Sequence, residues 1–170
     1  HLDNFPDTIA FKYLKLTEDE SNFKILKNIV KNTKFRNKKL KLSYDYCLLH
    51  LRVGDIIDSD VWTIDQFLEE NRVNNHYKKK IVKTKHYFIN KINKLKDYKI
   101  DKLVIIAGSH MNLKSFAKSY EYIDKIKKLF SKKFKNIIIF YGNHPDDDML
   151  LAYYAKYYIS STGGYSALLS

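Results

Sequence analysis

The residues best suited to chemistry lie in the segment His50–Asp55, which reads HLRVGD. Arg52 is one of only three arginines among 31 basic residues. A planar guanidinium binds phosphate or carboxylate with two parallel hydrogen bonds, a geometry that a lysine ammonium cannot copy. The segment follows the apolar run Tyr46–Leu49, and the end of a strand in an open α/β sheet is the usual place for ligand-binding groups. We therefore predict that Arg52 binds an anionic ligand.

Two polar neighbours of Arg52 have both a functional and a structural interpretation. His50 lies two residues before Arg52, so in a strand both side chains point to the same side of the sheet. His50 is a candidate catalytic base, although a lone histidine is more often a hydrogen-bonded scaffold residue. Asp55 is a candidate for the same chemistry, but it more naturally orients Arg52 or caps a turn. The structural alternative for Arg52 is a surface ion pair with Asp55 or Asp58.

A second group of candidate ligands lies in residues 160–166, which read SSTGGYS. Two glycines let backbone amides approach a ligand closely, and the N-terminus of a following helix favours anions. The segment is neither a Walker loop nor a GxGxxG fingerprint, so on its own it is a weak indication of function. Its significance grows if it faces Arg52 across one edge of a sheet. The candidate ligands in this segment are Ser161, Thr162, Gly163, Gly164 and Ser166.

Two further segments have interpretations that the sequence leaves open. Gly108, Ser109 and His110 follow an apolar run, and they either form the floor under a nucleotide base or simply turn the chain. The acids Asp146–Asp148 follow Pro145, an order that is typical of a helix N-terminus, so helix capping is favoured over a magnesium site. The histidines show no zinc-ligand spacing, and no metal site is predicted.

The net charge of +12 and the isoelectric point near 9.5 would ordinarily indicate a nucleic acid or another anionic surface as partner. The proportions of Lys, Asn, Ile and Tyr are all high. A compositionally biased gene would produce this pattern without selection for a partner, and we favour that explanation. The alternative function is a basic α/β domain that binds nucleic acid without catalysis, through the lysines of residues 78–102. The single cysteine, Cys47, is predicted to be an inert core thiol.

Apolar runs and helical spacings alternate along the chain. Strands are predicted at residues 44–51, 102–107, 136–141 and 157–160, and helices at 17–31, 64–70, 77–98, 115–132 and 145–156, with a last helix starting near 166. Uninterrupted apolar strands separated by helices indicate a parallel sheet that is buried on both sides. The predicted fold class is therefore α/β, a Rossmann-like parallel sheet with helices on both faces.

The segment His50–Asp55 resembles the HxRxGD motif of the GDP-fucose-dependent fucosyltransferases with a GT-B fold, which include the α1,2-, α1,6- and protein O-fucosyltransferases. In that family the nucleotide-sugar half begins with the strand that carries this motif. It closes with a Ser-rich strand–loop–helix, which residues 160–166 resemble. The resemblance covers residues 44–170 in order and spacing, and it implies that the chain is one half of a GT-B glycosyltransferase.

The resemblance implies a metal-independent transfer of fucose from GDP-fucose to a hydroxyl of a glycan or protein, without a further cofactor. Arg52 would hold the β-phosphate, and Ser161 and Ser166 would meet the nucleotide. Many members have a second arginine directly after the first, where this chain has Val53, so another nucleotide-sugar donor stays open. The predicted catalytic residues are Arg52, Asp55 and His50. The predicted nucleotide-sugar site comprises Arg52, Gly54, Gly108, Ser109, His110, Ser161, Thr162, Gly163, Gly164 and Ser166.

The resemblance also predicts the domain organisation. Residues 1–43 form an N-terminal helical segment or linker, which we interpret as a remnant of an acceptor domain, and residues 44–170 form the nucleotide-sugar-binding domain. We expect that domain to be truncated at its C-terminus, since the chain stops inside a helical pattern. No signal peptide or membrane-spanning run is present in the sequence. The lumen of the secretory pathway, including the Golgi, and the cytoplasm therefore both stay open as locations.

Overall fold

The computed structural model describes residues 7–13, 19–37, 45–69, 82–108, 115–161 and 164–170. The predicted site residues Ser109, His110, Thr162 and Gly163 lie outside these ranges. Residues 77–81 of the predicted helix 77–98 also lie outside them.

Four strands form one sheet in which every neighbouring pair is parallel. Their order across the sheet is β3-β2-β1-β4, and the central register places Leu49 beside both Ile105 and Ile159. This arrangement confirms the predicted α/β fold class with a parallel sheet. The strands are β1 (Cys47–Arg52), β2 (Lys102–Gly108), β3 (Asn136–Tyr141) and β4 (Tyr157–Ile159).

Helices connect the strands and also precede the sheet. The helices are α1 (Ile9–Lys12), α2 (Phe23–Lys31, after a 3-10 turn at Glu20–Asn22), α3 (Asp55–Asp58), α4 (Ile64–Glu69), α5 (Lys85–Leu95), α6 (Ala117–Phe130), α7 (Pro145–Tyr154) and α8 (Gly164–Leu168). In the described part of the chain, no helix is long and apolar enough to cross a membrane.

The strands are mostly apolar because both faces of the sheet are covered, most completely at β1 and β2. Successive side chains point to opposite faces. On one face Leu49 joins a core with Phe88 of α5 and Ile126 of α6. On the other face Leu48 joins a second core with Leu26 of α2 and Leu150 of α7. A strand that is buried on both sides loses the alternation of polar and apolar residues, which explains the continuous apolar runs in the sequence.

The N-terminal segment is fixed to the sheet through the first turn of α7. Asp146 accepts a hydrogen bond from the backbone N–H of Ile9 at 2.7 Å, and its other oxygen lies 3.3 Å from Nη2 of Arg36. Asp147 accepts hydrogen bonds from the backbone N–H groups of Arg36 at 2.7 Å and Asn37 at 3.1 Å. These two acids therefore hold the segment before β1 in place, a role that the prediction of helix capping did not include.

Helix α5 begins later than the spacing of its apolar residues predicts. Thr84 precedes it in an extended conformation, and its hydroxyl accepts a hydrogen bond from the backbone N–H of Tyr87 at 3.4 Å. A threonine that satisfies an early N–H group of a helix fixes the position where the helix starts. The described part of the predicted helix 77–98 is therefore helical from Lys85 to Leu95.

Candidate functional site

The strand order creates a crossover point at the carboxyl ends of β1 and β4. The chain moves from β1 to β2 and β3 in one direction, and then returns to place β4 on the other side of β1. In open α/β sheets the connections on the two sides of such a point diverge and leave a crevice, which is where ligands bind. Arg52 is the last residue of β1, and Ser160 and Ser161 directly follow β4. The two predicted segments thus flank the crevice that the topology defines.

A direct hydrogen bond joins these two segments. The backbone N–H of Arg52 donates to Oγ of Ser161 at 3.1 Å, and Ser161 is only 2% exposed. The backbone pairing of β1 with β4 ends at Leu49 and Ile159. Beyond that point, the side chain of Ser161 keeps the two segments in contact. The structure therefore brings together the two segments that the sequence singled out.

The guanidinium of Arg52 is held along its own turn. Its Nη2 lies 2.7 Å from Oδ1 of Asp55, and its Nη1 donates to the carbonyl of Val53 at 2.8 Å. The side chain of Arg52 is 12% exposed. A guanidinium has five N–H donors, and within the described residues these two bonds leave the others without a protein acceptor. Arg52 is thus oriented by Asp55 and still has donors for a ligand.

The turn after β1 has a conformation that requires glycine. Gly54 has φ 80° and ψ −126°, a region that residues with a Cβ rarely adopt. Its N–H donates to Oγ of Ser119 at 2.8 Å, and the Ser119 hydroxyl in turn donates to Asp58. Asp58 also accepts hydrogen bonds from the backbone N–H groups of Lys118 at 3.0 Å and Ser119 at 3.2 Å. The start of α6 therefore fixes the turn that carries Arg52.

Ser119 is a residue that sequence reasoning missed, and Asp58 was considered only as an ion-pair partner of Arg52, whereas it binds the start of α6. Ser119 is fully buried, and it lies in a helix whose other buried residues are mostly apolar, Tyr122, Ile123 and Ile126 among them. A small polar residue on the buried face of an amphipathic helix was the available signal. Its partner could not be inferred, because the contact joins residues about sixty positions apart.

His50 is buried, with 6% of its surface exposed. Its ring makes a T-shaped contact with Tyr165 of α8, with ring centroids 5.6 Å apart, and the hydroxyl of Tyr165 donates to the carbonyl of Pro145 at 2.8 Å. His50 lies two residues before Arg52 on β1, so both side chains point to the same side of the sheet, as predicted. Its surroundings are those of a packed residue between the sheet and α8, whereas Arg52 lies where the strand ends.

The serines after β4 differ in what they contact. Ser166 is fully buried, and its hydroxyl lies 2.8 Å from Oη of Tyr158 and 2.7 Å from Oγ of Ser160. In this conformation Ser166 holds α8 against β4. Ser161, by contrast, contacts the backbone of Arg52. Of the two serines that the resemblance assigns to the nucleotide, Ser161 is therefore the one that lies beside Arg52.

Two predicted glycines border the same edge of the sheet. Gly108 ends β2 directly opposite Arg52, and its carbonyl accepts a hydrogen bond from the N–H of Val53 at 3.4 Å. A Cβ built on Gly108 would meet no atom of the described structure within 4 Å. None of the described residues therefore fills the space beside Gly108. Gly164 is the first residue of α8, the helix that follows the end of β4.

A titratable group, Asp148, lies at the same edge in the first turn of α7. Burial is the main reason that its pKa is raised to about 7, and the charge of Asp147 acts in the same direction. A hydrogen bond from Nδ2 of Asn143 at 3.3 Å opposes the rise. A carboxyl group that titrates near neutral pH is a candidate for proton transfer or ligand-dependent protonation. The sequence identified the acidic triplet but not this member of it.

The structure gives no metal centre from the described residues, which contain no group of three or more His, Cys, Asp or Glu able to hold an ion. Two acids of the triplet Asp146–Asp148 bind the backbone of the N-terminal segment. Cys47 is fully buried, and burial raises the pKa of its thiol to about 12, as expected of an inert core thiol.

No protein-family model matches the chain, and neither does any curated protein or solved structure. The strand order and the side-chain geometry at the carboxyl edge of the sheet are therefore the basis for a functional assignment.

Proposed function

We propose that this chain is the donor-binding domain of a glycosyltransferase, which moves a sugar from a nucleoside diphosphate to a hydroxyl of a glycan or protein. Fucose from GDP-fucose is the first donor to test, because of the HxRxGD motif. One observation carries the proposal: the single arginine of the motif lies at the crossover point of the sheet, and its backbone is bonded to Ser161 of the other predicted segment.

Arg52 is suited to the leaving group of such a reaction. When the bond between the sugar carbon and the diphosphate oxygen breaks, negative charge accumulates on the phosphate. A fixed guanidinium stabilises that charge more in the transition state than in the ground state, which is the condition for catalysis. The loss of one such group typically costs about 3 kcal/mol, or roughly a hundredfold in rate. A metal ion is not part of the proposal, since Arg52 supplies the positive charge.

Asp55 is assigned the role of orienting Arg52. Its carboxylate binds Nη2 at 2.7 Å, which stabilises one rotamer of a long side chain and reduces the entropy that a ligand must otherwise offset. The same turn fixes Gly54 through Ser119. We therefore assign Ser119 and Asp58 as positioning residues for Arg52, while proton transfer from the acceptor hydroxyl is left to a group other than Asp55.

Because residue 53 is a valine, the motif supplies one guanidinium to the proposed site, that of Arg52. Val53 is fully buried and belongs to the core that includes Ile57 and Phe88. A second arginine there would bring a charge into that core, which is costly without a partner. The proposed diphosphate site therefore combines Arg52 with hydroxyl and backbone donors rather than with a pair of arginines.

The test is a thermal-shift comparison of GDP, UDP and CMP at moderate salt, with a single-stranded oligoribonucleotide as the competing ligand. We expect GDP to raise the melting temperature, because a ligand at 100 times its Kd adds about 2.7 kcal/mol of stability. Arg52→Lys should abolish most of this shift, since it keeps the charge and loses the planar fork.

The matched control is Arg36→Lys. Arg36 also binds a carboxylate, at 3.3 Å from Asp146, but it lies in the N-terminal segment and not at the crossover point. This variant should keep the full GDP shift. A chain that responds to the oligoribonucleotide and to none of the nucleotides would instead be the non-catalytic nucleic-acid binder.

A further inference from the structure

A basic concavity lies on the exposed side of α5, apart from the crevice at Arg52. Its volume is about 530 Å³. One aromatic ring, two amides and two ammonium groups surround it. The lining residues are Tyr87, Asn90, Lys91, Asn93 and Lys94.

Two lysines converge on one ring at the edge of this concavity. Nζ of Lys91 lies 5.2 Å from the centroid of the Tyr87 ring, and Nζ of Lys83 lies 5.3 Å from it. Such cation–π contacts are attractive, and here they hold two positive charges at the same ring. The pKa of Lys83 is lowered by burial and then by the nearby charge of Lys91, so the two ammonium groups oppose each other.

The described part of the chain supplies no carboxylate within ion-pair distance of Lys91 or Lys94. A lysine face that is merely solvated spreads its charges apart into water. Here Lys91 is half-buried and shares an aromatic ring with a second cation. An anionic group in the concavity would reduce this repulsion.

The concavity is connected to the crevice by one side chain. The hydroxyl of Tyr87 donates to the carbonyl of Ser160 at 2.5 Å, and Ser160 directly precedes Ser161, which accepts the N–H of Arg52. Tyr87, which lines the concavity, therefore contacts the segment that borders the crevice.

We propose that this concavity binds an acidic group, a carboxylate or a sulfate ester, on the acceptor glycan. The assignment to an acceptor rests on the proposed glycosyltransferase function. Lysines bind the anion, while the amides of Asn90 and Asn93 suit sugar hydroxyls. A nucleic acid fits less well, because single strands stack their bases on open aromatic faces, and lysine ammonium groups lie over the Tyr87 ring.

The experiment is calorimetric titration of the whole chain with three probes: a hyaluronan tetrasaccharide, which carries carboxylates, a chondroitin sulfate tetrasaccharide, which adds sulfates, and neutral chitotetraose. The double variant Lys91→Gln, Lys94→Gln removes two charges from the concavity. The matched control, Lys127→Gln, Lys128→Gln, removes two exposed charges from α6. Thermal unfolding of each variant serves as the check on folding.

We expect at least one acidic tetrasaccharide to bind at least tenfold more tightly than chitotetraose, and the preferred acid then identifies the group. The variant of Lys91 and Lys94 should weaken that binding by about fivefold or more, since an exposed ion pair contributes up to about 1 kcal/mol. The control should change it by less than about twofold.

Equal binding of the neutral and acidic glycans would overturn the proposal, and so would an equal loss in both variants. Tighter binding of an oligoribonucleotide that depends on Lys91 and Lys94 would replace it with a nucleic-acid site. The GDP shift at Arg52 is measured separately. If that shift is absent while binding of the acidic glycan still requires Lys91 and Lys94, the anion site is supported and its role in sugar transfer is wrong. A normal GDP shift without acidic-glycan binding overturns the anion site alone.

Discussion

Two helix starts at the carboxyl edge of the sheet differ in how their acids are used. In the turn after β1, Asp55 binds the guanidinium of Arg52 and Asp58 accepts three hydrogen bonds from the start of α6. In the turn after β3, Asp146 and Asp147 bind the N-terminal segment. Asp148 has one donor from the described residues, Asn143.

The comparison shows that the environment, and not the position in a helix, decides how a carboxyl group behaves. All five acids lie in the first turn of a helix, where the helix dipole favours negative charge. For Asp148 that preference is overcome, because burial raises its pKa to about 7. A carboxylate needs several donors to stay charged away from water. Asp55 and Asp148 each have one side-chain donor among the described residues, but the donor to Asp55 is a guanidinium and the donor to Asp148 is a neutral amide. Asp148 is the acid whose pKa is raised to about 7.

The largest expected effect comes from breaking the anchoring acids of α7. Asp146→Ala removes the acceptor for the N–H of Ile9 and the partner of Arg36. Because Asp146 is 3% exposed, the N–H of Ile9 is left without an acceptor, and we expect a loss of about 3 kcal/mol in the free energy of unfolding. Urea denaturation measures it.

Asp146→Asn is the matched variant for this prediction, since the amide oxygen can still accept the bond from Ile9. It should lose about half as much stability as Asp146→Ala. If both variants unfold at the wild-type urea concentration, the N-terminal segment is not held by this acid, and the contrast between anchoring and titrating acids in α7 is wrong.

A second, smaller effect is expected in the turn after β1. Ser119→Ala leaves the N–H of Gly54 without its acceptor at 2.8 Å and removes the hydroxyl donor to Asp58. We expect a loss of about 2 kcal/mol in the free energy of unfolding, because the N–H of Gly54 is buried and Asp58 is half-buried. The GDP-induced shift should fall as well, since the turn that carries Arg52 is loosened.

Ser131→Ala provides the control at the exposed end of the same helix, where, among the described residues, the hydroxyl bonds the carbonyl of Lys128 alone. It should change stability by less than about 0.5 kcal/mol. A Ser119→Ala variant that loses stability but keeps the full nucleotide shift would make Ser119 a purely structural residue.

The fold could be predicted from the sequence because its signals are local. Strand β3 spans residues 136–141 in both the prediction and the structure, since its apolar run is bounded by polar residues and a glycine. The rule that parallel strands gather their carboxyl ends at one edge predicted that Arg52 and Ser161 share that edge. Their direct contact depends on the pairing of β4 with β1, which the sequence did not predict. Helix α5 was predicted too long, since within the described residues positions 82–84 lie before its first residue, Lys85, and positions 96–98 lie after its last residue, Leu95.

The details of the site could not be predicted in the same way. The burial of Ser166 depends on Tyr158 and Ser160, and the fixing of Gly54 depends on Ser119, which belongs to a different helix. The raised pKa of Asp148 depends mainly on its burial, which follows from tertiary packing. Each of these properties is set by tertiary contacts. The sequence shows only three adjacent acids and several serines in one turn, and it does not distinguish the roles of residues of the same type.

The smallest expected effect is a gain of stability, and it tests Asp148 directly. The pKa of Asp148 in the folded chain is about 7, above the ordinary 3.8. Below about pH 4 the group is protonated in both the folded and the unfolded chain, so it does not lower the free energy of unfolding. As the pH rises from about 4 to 7, the unfolded chain loses the proton first, so stability falls with pH and stays lower above about 7. Asp148→Asn cannot ionise.

The amide that Asp148→Asn introduces can still accept the bond from Asn143, so the variant isolates the charge. Its free energy of unfolding, relative to the wild type, should therefore rise by at least about 1 kcal/mol between pH 4 and pH 8, a value set below the full shift because Asp148 is only half-buried. Asp45→Asn changes an exposed acid paired with Lys156 at 3.1 Å and should leave the pH profile as it is. If Asp148→Asn instead loses stability at pH 8, the charged form is the favoured one, and Asp148 belongs with the anchoring acids Asp146 and Asp147.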